Sequence, residues 1–278
     1  MQRGGSLESK WSADCFPTQI TADGSIRFKM NDFNVLGKRL RDLTLNINAQ
    51  ATSDATNILT NITRLTILFG SEPGWDAPLT HFRALIGFIT KKAALATAVD
   101  YLNIPLHMFR GYSAPPGKNL DLKVTKNATY GTNQVPKVSM VLGFNQRDET
   151  RGYLNILSKL YGVPVSSNGT NLKPDQPGNL QYIILPTLTG VVGLRYADDR
   201  GVRHYFTDVK TLIAQQEQYS GVAYAAPYSG PFVYKIPEER EVKSGVTEIS
   251  LITNASWVDD EITLVTEFPN PNMAQAKK

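Results

Sequence analysis

Three histidines are the side chains best suited to bind a transition metal or to transfer protons near neutral pH. His81, His107 and His204 are far apart in the sequence, and none has a carboxylate or a cysteine at the spacing of a metal site. The single cysteine, Cys15, excludes both an intramolecular disulfide and a thiolate cluster. We therefore predict surface or structural histidines, with no metal site and no cofactor.

Two acidic segments and one glycine-rich segment resemble catalytic motifs. Asp198 and Asp199 could act as paired carboxylates, but ADDRG between two apolar runs is typical of a hairpin turn. Residues 259–261 (DDE) form another acidic turn, without the central glycine of a calcium loop. Segment 111–119 (GYSAPPGKN) has five residues between its glycines, whereas a phosphate loop has four. The sequence thus predicts no catalytic residue and indicates a protein that is not an enzyme.

Composition narrows the class of protein further. The chain is 41% hydrophobic and 19% charged, as in ordinary globular proteins. Its net charge of +4 comes from dispersed basic residues, which argues against specific nucleic-acid binding. The most apolar stretch, 84–98, contains Lys91 and Lys92, so it does not resemble a membrane-spanning helix. The start of the chain lacks the apolar region of a secretory signal, and we expect synthesis and folding in a cytoplasm.

Short β-type runs separated by turn residues dominate the chain and predict an all-β fold with a few short helices. In the first half these runs are Ser25–Met30, Leu43–Ala49, Ile62–Phe69, Leu102–Phe109, Leu120–Thr125 and Val138–Phe144. In the second half they are Tyr182–Leu185, Val191–Tyr196, Val202–Phe206, Phe232–Ile236, Val246–Ile252 and Glu261–Phe268. Runs of this length and spacing are typical of sandwiches and barrels.

Two helical patterns interrupt the strands at matching places. One has Leu85 and Ile86 on its apolar face, with Asp76 or Thr80 as a possible cap. The other has Leu212 and Ile213 on its apolar face and starts after Thr207 and Asp208. We predict that these four apolar residues anchor the helices in the core.

The spacing of matching residues predicts two tandem copies of one β fold. The two apolar pairs of the helices are 127 residues apart (212 minus 85), and Leu122 and Val124 match Ile249 and Leu251 at the same offset. Leu65 likewise corresponds to Leu194.

This interpretation divides the chain into five segments. They are an N-terminal tail (1–20), a first jelly-roll barrel (21–145), a linker (146–179), a second jelly-roll barrel (180–269) and a C-terminal tail (270–278). The apolar spacing of Tyr153 to Tyr161 predicts one short helix in the linker. The tails are polar and are expected to be mobile in isolation.

Two segments carry a resemblance to a known family. ITRLTILFGSEPGWDAPLTHFRALIGFIT in the first copy and VVGLRYADDRGVRHYFTDVKTLIAQQ in the second each read as a β-hairpin followed directly by a short helix. Together with the tandem arrangement from about Ser25 to Phe268, they resemble the double jelly-roll major capsid proteins. These proteins form the shells of icosahedral, tailless phages with an internal membrane, such as corticoviruses, tectiviruses and the finnlakevirus group.

The resemblance implies a structural subunit of a virion shell. It implies a homotrimer whose six barrels make a pseudo-hexagonal capsomer, which then contacts its own copies in the lattice and penton or minor capsid proteins. It also implies that the N-terminal side faces the internal lipid membrane. Arg3, Lys10 and Trp11 are the residues that could contact lipid there, because basic and tryptophan side chains favour membrane interfaces.

Two other functions are compatible with a β-rich chain. A carbohydrate- or receptor-binding β-sandwich, such as a lectin-like or spike module, would bind glycan saturably. A jelly-roll enzyme of the cupin type would need a histidine-rich metal set, which the sequence lacks.

Overall fold

The structure is a computed structural model. It describes residues 10–15, 19–20, 24–29, 39–48, 62–69, 72–91, 101–104, 112–113, 120–126, 135–143, 153–162, 169–173, 179–197, 204–221, 230–236 and 249–268. The chain divides into two compact units. The first comprises Met1–Leu79, Ala96–Leu154 and Pro269–Lys278, and the second comprises Thr80–Leu95 and Asn155–Phe268.

The first unit is built from antiparallel strands. They are β1 (Lys10–Cys15), β2 (Gln19–Ile20), β3 (Ser25–Lys29), β4 (Arg39–Asn48), β5 (Ile62–Phe69), β6 (Glu72–Pro78), β7 (Tyr101–Ile104), β8 (Tyr112–Ser113), β9 (Leu120–Lys126) and β10 (Val135–Gly143). One series of neighbours runs β1–β10–β4–β7, with β8 also paired to β4. The other runs β2–β3–β9–β5–β6.

The unit boundary falls within β11 (Tyr153–Leu160), after Leu154. The later strands are β12 (Thr170–Asn171), β13 (Asn179–Leu185), β14 (Val191–Ala197), β15 (His204–Asp208), β16 (Phe232–Lys235), β17 (Ile249–Thr253) and β18 (Glu261–Phe268). Within the second unit the neighbour series are β12–β17–β14–β15 and β16–β13–β18–β11. The helices among the described residues are α1 (Leu79–Thr90) and α2 (Val209–Ser220).

The strand order repeats between the two halves of the chain. The series β3–β9–β5–β6 matches β12–β17–β14–β15, and β1–β10–β4–β7 matches β11–β18–β13–β16. In both halves a helix starts directly after the equivalent strand, because β6 ends at Pro78 before α1 and β15 ends at Asp208 before α2. The predicted duplication is therefore confirmed at the level of topology.

Strand register confirms the predicted equivalences between the halves. Leu65 lies opposite Val124 in the first half, and Leu194 lies opposite Leu251 in the second. The predicted offset of 127 residues is wrong for the helices, which start 130 residues apart (209 minus 79). Leu212 consequently matches Phe82 rather than Leu85.

The predicted N-terminal tail and the predicted linker helix are both wrong, and for the same reason. Residues Lys10–Cys15 and Gln19–Ile20 of the tail form β1 and β2, and β1 pairs with β10. Residues Tyr153–Leu160 form strand β11 instead of a helix. Since β1 and β11 are equivalent, the structure shows that each copy begins one strand earlier than predicted, before residues 21 and 180.

Long-range contacts explain why β11 is extended. Ser158 Oγ donates to Glu261 Oε2 of β18 at 2.8 Å, and Ile156 is fully buried. Leu160, which a helical stripe would bury, is instead 63% exposed. The leucine spacing that fits one helical face is therefore overridden by contacts with a strand about 100 residues away (261 minus 158).

Candidate assembly surface

Helix α1 belongs to the second unit from its second residue onward, although it follows β6 of the first unit in sequence. A hydrogen bond of 2.6 Å joins His81 Nδ1 to Thr263 Oγ1 of β18, and both side chains are buried. Phe88 makes an edge-to-face contact with Tyr182 of β13, with 6.1 Å between ring centroids. The predicted anchors Leu85 and Ile86 are buried. The predicted first barrel, 21–145, therefore includes a helix that packs with strands of the second unit.

Helix α2 is held at both ends by local hydrogen bonds. Asp208 is the N-cap, and its Oδ1 accepts from Lys210 N at 2.9 Å and from Thr211 N at 3.2 Å. Thr211 Oγ1 donates to Asp208 Oδ2 at 2.6 Å. These bonds, the Thr211 side-chain bond first, hold the pKa of Asp208 below its ordinary value because they favour the carboxylate. Gly221 ends the helix in the left-handed region, with φ +68.

The predicted anchors of α2 lie in the core of the second unit. Leu212 and Ile213 belong to one buried cluster with side chains of β13, β14, β16 and β17. Gln216, on the same side of the helix, is also buried, and its Oε1 accepts from Lys235 N of β16 at 2.9 Å. Helix α1 contacts β13 and β18, and the buried cluster around Leu212 and Ile213 of α2 also includes side chains of these two strands.

On the outer face of β5 and β6 in the first unit, charged and hydroxyl side chains form hydrogen bonds with each other. Thr66 and Asp76 lie directly opposite each other. Asp76 Oδ1 accepts from Arg64 Nε at 2.6 Å and from Thr66 Oγ1 at 2.8 Å, and its Oδ2 accepts from Arg64 Nη2 at 3.0 Å. A second ion pair joins Arg27 of β3 to Asp121 of β9. A face built this way is suited to contact with water.

The same position in the second unit carries an aromatic ring in place of a carboxylate. Arg195 and Phe206 take the places of Thr66 and Asp76, and Gly193 takes the place of Arg64. Phe206 is 50% exposed, and a Cβ at Gly193 would lie 2.8 Å from two of its ring carbons. The ring thus lies over Gly193, which only glycine permits. Val192, at the β-bulge of β14, is 37% exposed. We call Val192, Gly193 and Phe206 the Phe206 patch.

The residues with catalytic or metal-binding chemistry do not converge in the part of the chain that the structure describes. His81 is buried against Thr263, while His107, Asp198 and Asp199 lie outside the described residues. His204 belongs to β15. Among the described residues, no group of three or more histidine, cysteine, aspartate or glutamate side chains is placed to hold a metal ion. Tyr112–Ser113 of the glycine-rich segment 111–119 form β8, and its other residues lie outside the described ones.

Two of the three predicted membrane-facing residues lie in a strand. Lys10 pairs with Gly143 and Trp11 pairs with Leu142, both in β10. Arg3 lies outside the described residues. No helix among the described residues combines the length and the apolar character needed to span a bilayer.

Comparison with known proteins gives matches to solved structures. No family model matches the chain, and no curated protein matches its sequence. The crystal structure of the major capsid protein of Sulfolobus Turreted Icosahedral Virus matches with a TM-score of 0.63 and 13% identity, covering 96% of this chain and 98% of that chain. The crystal structure of the major capsid protein of bacteriophage PM2 matches with a TM-score of 0.63 and 10% identity, covering 94% of this chain and 99% of that chain.

A chain of the Sulfolobus Turreted Icosahedral Virus atomic structure agrees, with a TM-score of 0.65, 14% identity, and coverage of 96% of this chain and 93% of that chain. Such matches extend over both copies of the repeated strand order. The chain has a double jelly-roll fold. At this level of identity the likeness establishes the fold of the chain, and it agrees with the resemblance found in the two hairpin–helix segments.

The sequence did not predict the first strand of either jelly roll. These strands, β1 and β11, were predicted as a tail and a linker. The Phe206 patch had no signal in the sequence, because its exposure depends on which side of β15 faces the core.

Proposed function

We propose that this double jelly-roll chain is the major capsid protein of an icosahedral virus. The observation that carries the proposal is the agreement of nearly the whole chain with two capsid proteins, one from Sulfolobus Turreted Icosahedral Virus and one from bacteriophage PM2. The protein is made in the host cytoplasm and resides in the virion shell, where it has a structural role and no catalytic one. One of these names is that of a bacteriophage and the other is that of a virus of Sulfolobus. The proposal therefore does not restrict the virus to one of these two kinds of host.

The duplicated topology supports a trimeric capsomer. Three copies of a chain with two barrels present six barrels around one threefold axis, which gives a pseudo-hexagonal outline. Closed threefold contacts between identical chains need only one kind of interface. The capsomers contact each other in a lattice and meet penton or minor capsid proteins at its special positions.

Light scattering on the purified full-length protein tests this proposal. We expect a mass about three times the chain mass of 30.7 kDa, and six lobes in low-resolution images of the particle. The mass should be independent of concentration above the micromolar range, because closed interfaces of ordinary size hold trimers together there. A protein that stays monomeric at all concentrations, or that binds glycans saturably as a monomer, would instead support a ligand-binding β-sandwich.

We further propose that the N-terminal side of the chain faces the internal membrane of the virion. Basic side chains gain about 1 kcal/mol each near anionic lipid. Because Lys10 and Trp11 lie in β1, the segment proposed to contact lipid is narrowed to residues 1–9, which include Arg3.

A pair of deletions separates contact with the membrane from folding. Deleting residues 1–9 should leave the thermal stability of the trimer nearly unchanged but reduce the yield of membrane-containing particles. Deleting residues 1–12 should also lower thermal stability, since it removes three of the six β1 residues that pair with β10. Normal virions assembled from the shorter deletion would contradict the membrane assignment.

A further inference from the structure

We propose that Asn254, in the loop between β17 and β18, is a site of N-linked glycosylation. The sugar donor is a nucleoside diphosphate sugar, used by a soluble glycosyltransferase of the host. The inference rests on the proposed function, since it takes the chain to be made in a cytoplasm and to reside in a virion shell. It adds that this loop of the second unit stays open to solvent in the shell.

The loop carries the acceptor motif for this modification. Asn254, Ala255 and Ser256 form an Asn-x-Ser motif whose middle residue is not proline. All three residues are exposed, whereas Thr253 before them and Trp257 after them are buried. The motif is therefore the part of this segment that an enzyme can reach.

A local hydrogen bond orients the side chain of Asn254. Its Oδ1 accepts from Ser256 N at 2.8 Å, which forms an Asx turn over the motif. The planar amide places Nδ2 on the side opposite Oδ1, and among the described residues none accepts a hydrogen bond from Nδ2. The nitrogen that would receive the sugar is thus available, while the oxygen of the same amide is occupied.

The backbone of the motif is held by the neighbouring loop between β13 and β14. Asn254 N donates to Gly190 O at 2.8 Å, and Trp257 N donates to Asn254 O at 3.0 Å. Gly190 lies so close to Trp257 that a Cβ at this glycine would be 2.3 Å from the Trp257 nitrogen. The folded second unit therefore presents the motif on a fixed turn, and modification does not require unfolding.

The reaction transfers one glycosyl group and involves no oxidation or reduction. Nδ2 of Asn254 forms a bond to the anomeric carbon of the sugar, and the bond between that carbon and the diphosphate oxygen breaks. The nucleoside diphosphate leaves with the electron pair of the broken bond. The proton lost from Nδ2 passes to a base of the transferase.

A glycan at Asn254 restricts how this loop can be used in the shell. An attached glycan is bulky and hydrated, and it belongs on a surface. The centre of a protein interface is packed as densely as a protein interior and has no room for such a group. The loop between β17 and β18 is therefore excluded from the packed contacts between capsid subunits.

Mass spectrometry of the protein from purified virions tests the proposal. We expect the peptide that contains residues 254–256 to carry the mass of at least one hexose. Asn254→Gln and Ser256→Ala should each remove this mass from the peptide, whereas Ser256→Thr, which keeps the motif, should retain it. All three variants should keep the far-UV circular dichroism of the wild type, because the substituted side chains are exposed.

The outcomes separate this inference from the proposed function. Virions whose peptides contain only unmodified Asn254 would overturn the glycosylation site and leave the capsid function standing. The same holds if sugars are found only at the other Asn-x-Ser/Thr motifs, which start at Asn61, Asn127 and Asn168 outside the described residues. Absence of the chain from virions would overturn the capsid function instead.

A reaction with purified components tests the donor and the accessibility of the folded motif. The full-length protein is incubated with UDP-glucose and a soluble bacterial N-glycosyltransferase that recognises Asn-x-Ser/Thr. We expect one hexose on Asn254 of the native protein and none on the matched variant Ala255→Pro, in which the motif is blocked. Modification of Asn254 only after denaturation in urea would overturn the proposal. Loss of the glycan in a host that cannot make lipid-linked oligosaccharides would overturn the assigned donor.

Discussion

Replacing Leu85 or Leu212 with aspartate is expected to destabilise the protein by on the order of 5 kcal/mol, a larger loss than any other substitution proposed for this chain should cause. Both side chains are fully buried, Leu85 in α1 and Leu212 in α2. An aspartate at either place loses the apolar burial and adds a carboxylate without a partner. Thermal or urea denaturation of the purified variants measures the effect, and loss of soluble protein is the expected extreme.

Matched substitutions on the exposed side of each helix test whether burial is the cause. Thr80→Asp in α1 and Ala214→Asp in α2 add the same charge at exposed positions and should change stability by less than about 1 kcal/mol. A Leu85→Asp protein as stable as Thr80→Asp would show that α1 does not face a core. The same comparison applies to α2, with Leu212→Asp set against Ala214→Asp.

Gly190→Ala should destabilise the second unit by about 2–4 kcal/mol, which is unusually large for the addition of one methyl group. Gly190 has φ +78, a conformation that costs an alanine about 1 kcal/mol or more. An added Cβ would also lie 2.3 Å from the backbone nitrogen of Trp257. That nitrogen cannot move freely, since it donates to Asn254 O, while Asn254 N donates to Gly190 O. The midpoint of chemical denaturation measures the loss.

Gly221→Ala separates the two causes. Gly221 also has a left-handed backbone, with φ +68, but no heavy atom of another part of the chain lies within 4 Å of the position that a Cβ would take there. This substitution should therefore show the conformational cost alone, about 1 kcal/mol. If both alanine variants lost the same free energy of unfolding, the close approach of Gly190 to Trp257 would make no contribution to the cost of the substitution.

Strands with a clear alternation of apolar and polar residues were predictable from sequence. In β9, Leu122 and Val124 are buried while Lys123 and Thr125 are not, so the pattern of one face is visible in the letters alone. The matching pairs in β17 made the duplication visible as well. Helix α2 was predictable at its start, because Asp208 precedes the apolar face at the N-cap position.

Strands whose neighbours are distant in sequence were not predictable. β1, with the sequence KWSADC, has no apolar alternation, and its hydrogen-bonding partner β10 begins more than 100 residues later (135 minus 15). β11 has leucines at a spacing that also fits a helix, and it forms a strand because of its long-range contacts. Local pattern therefore predicts a tail and a linker where the two first strands lie.

The order of the amino acids is enough to predict an all-β chain with two copies of one fold, because alternation, turns and helix caps are local properties. Where each copy begins, which unit α1 packs with, and which outer face exposes Phe206 are settled only when the chain folds in three dimensions. Each of these depends on contacts between residues far apart in sequence, such as His81 with Thr263 and Trp75 with Leu154. Such contacts cannot be predicted from the local sequence pattern, because the free energy of pairing depends on both partners and on the surface that they bury together.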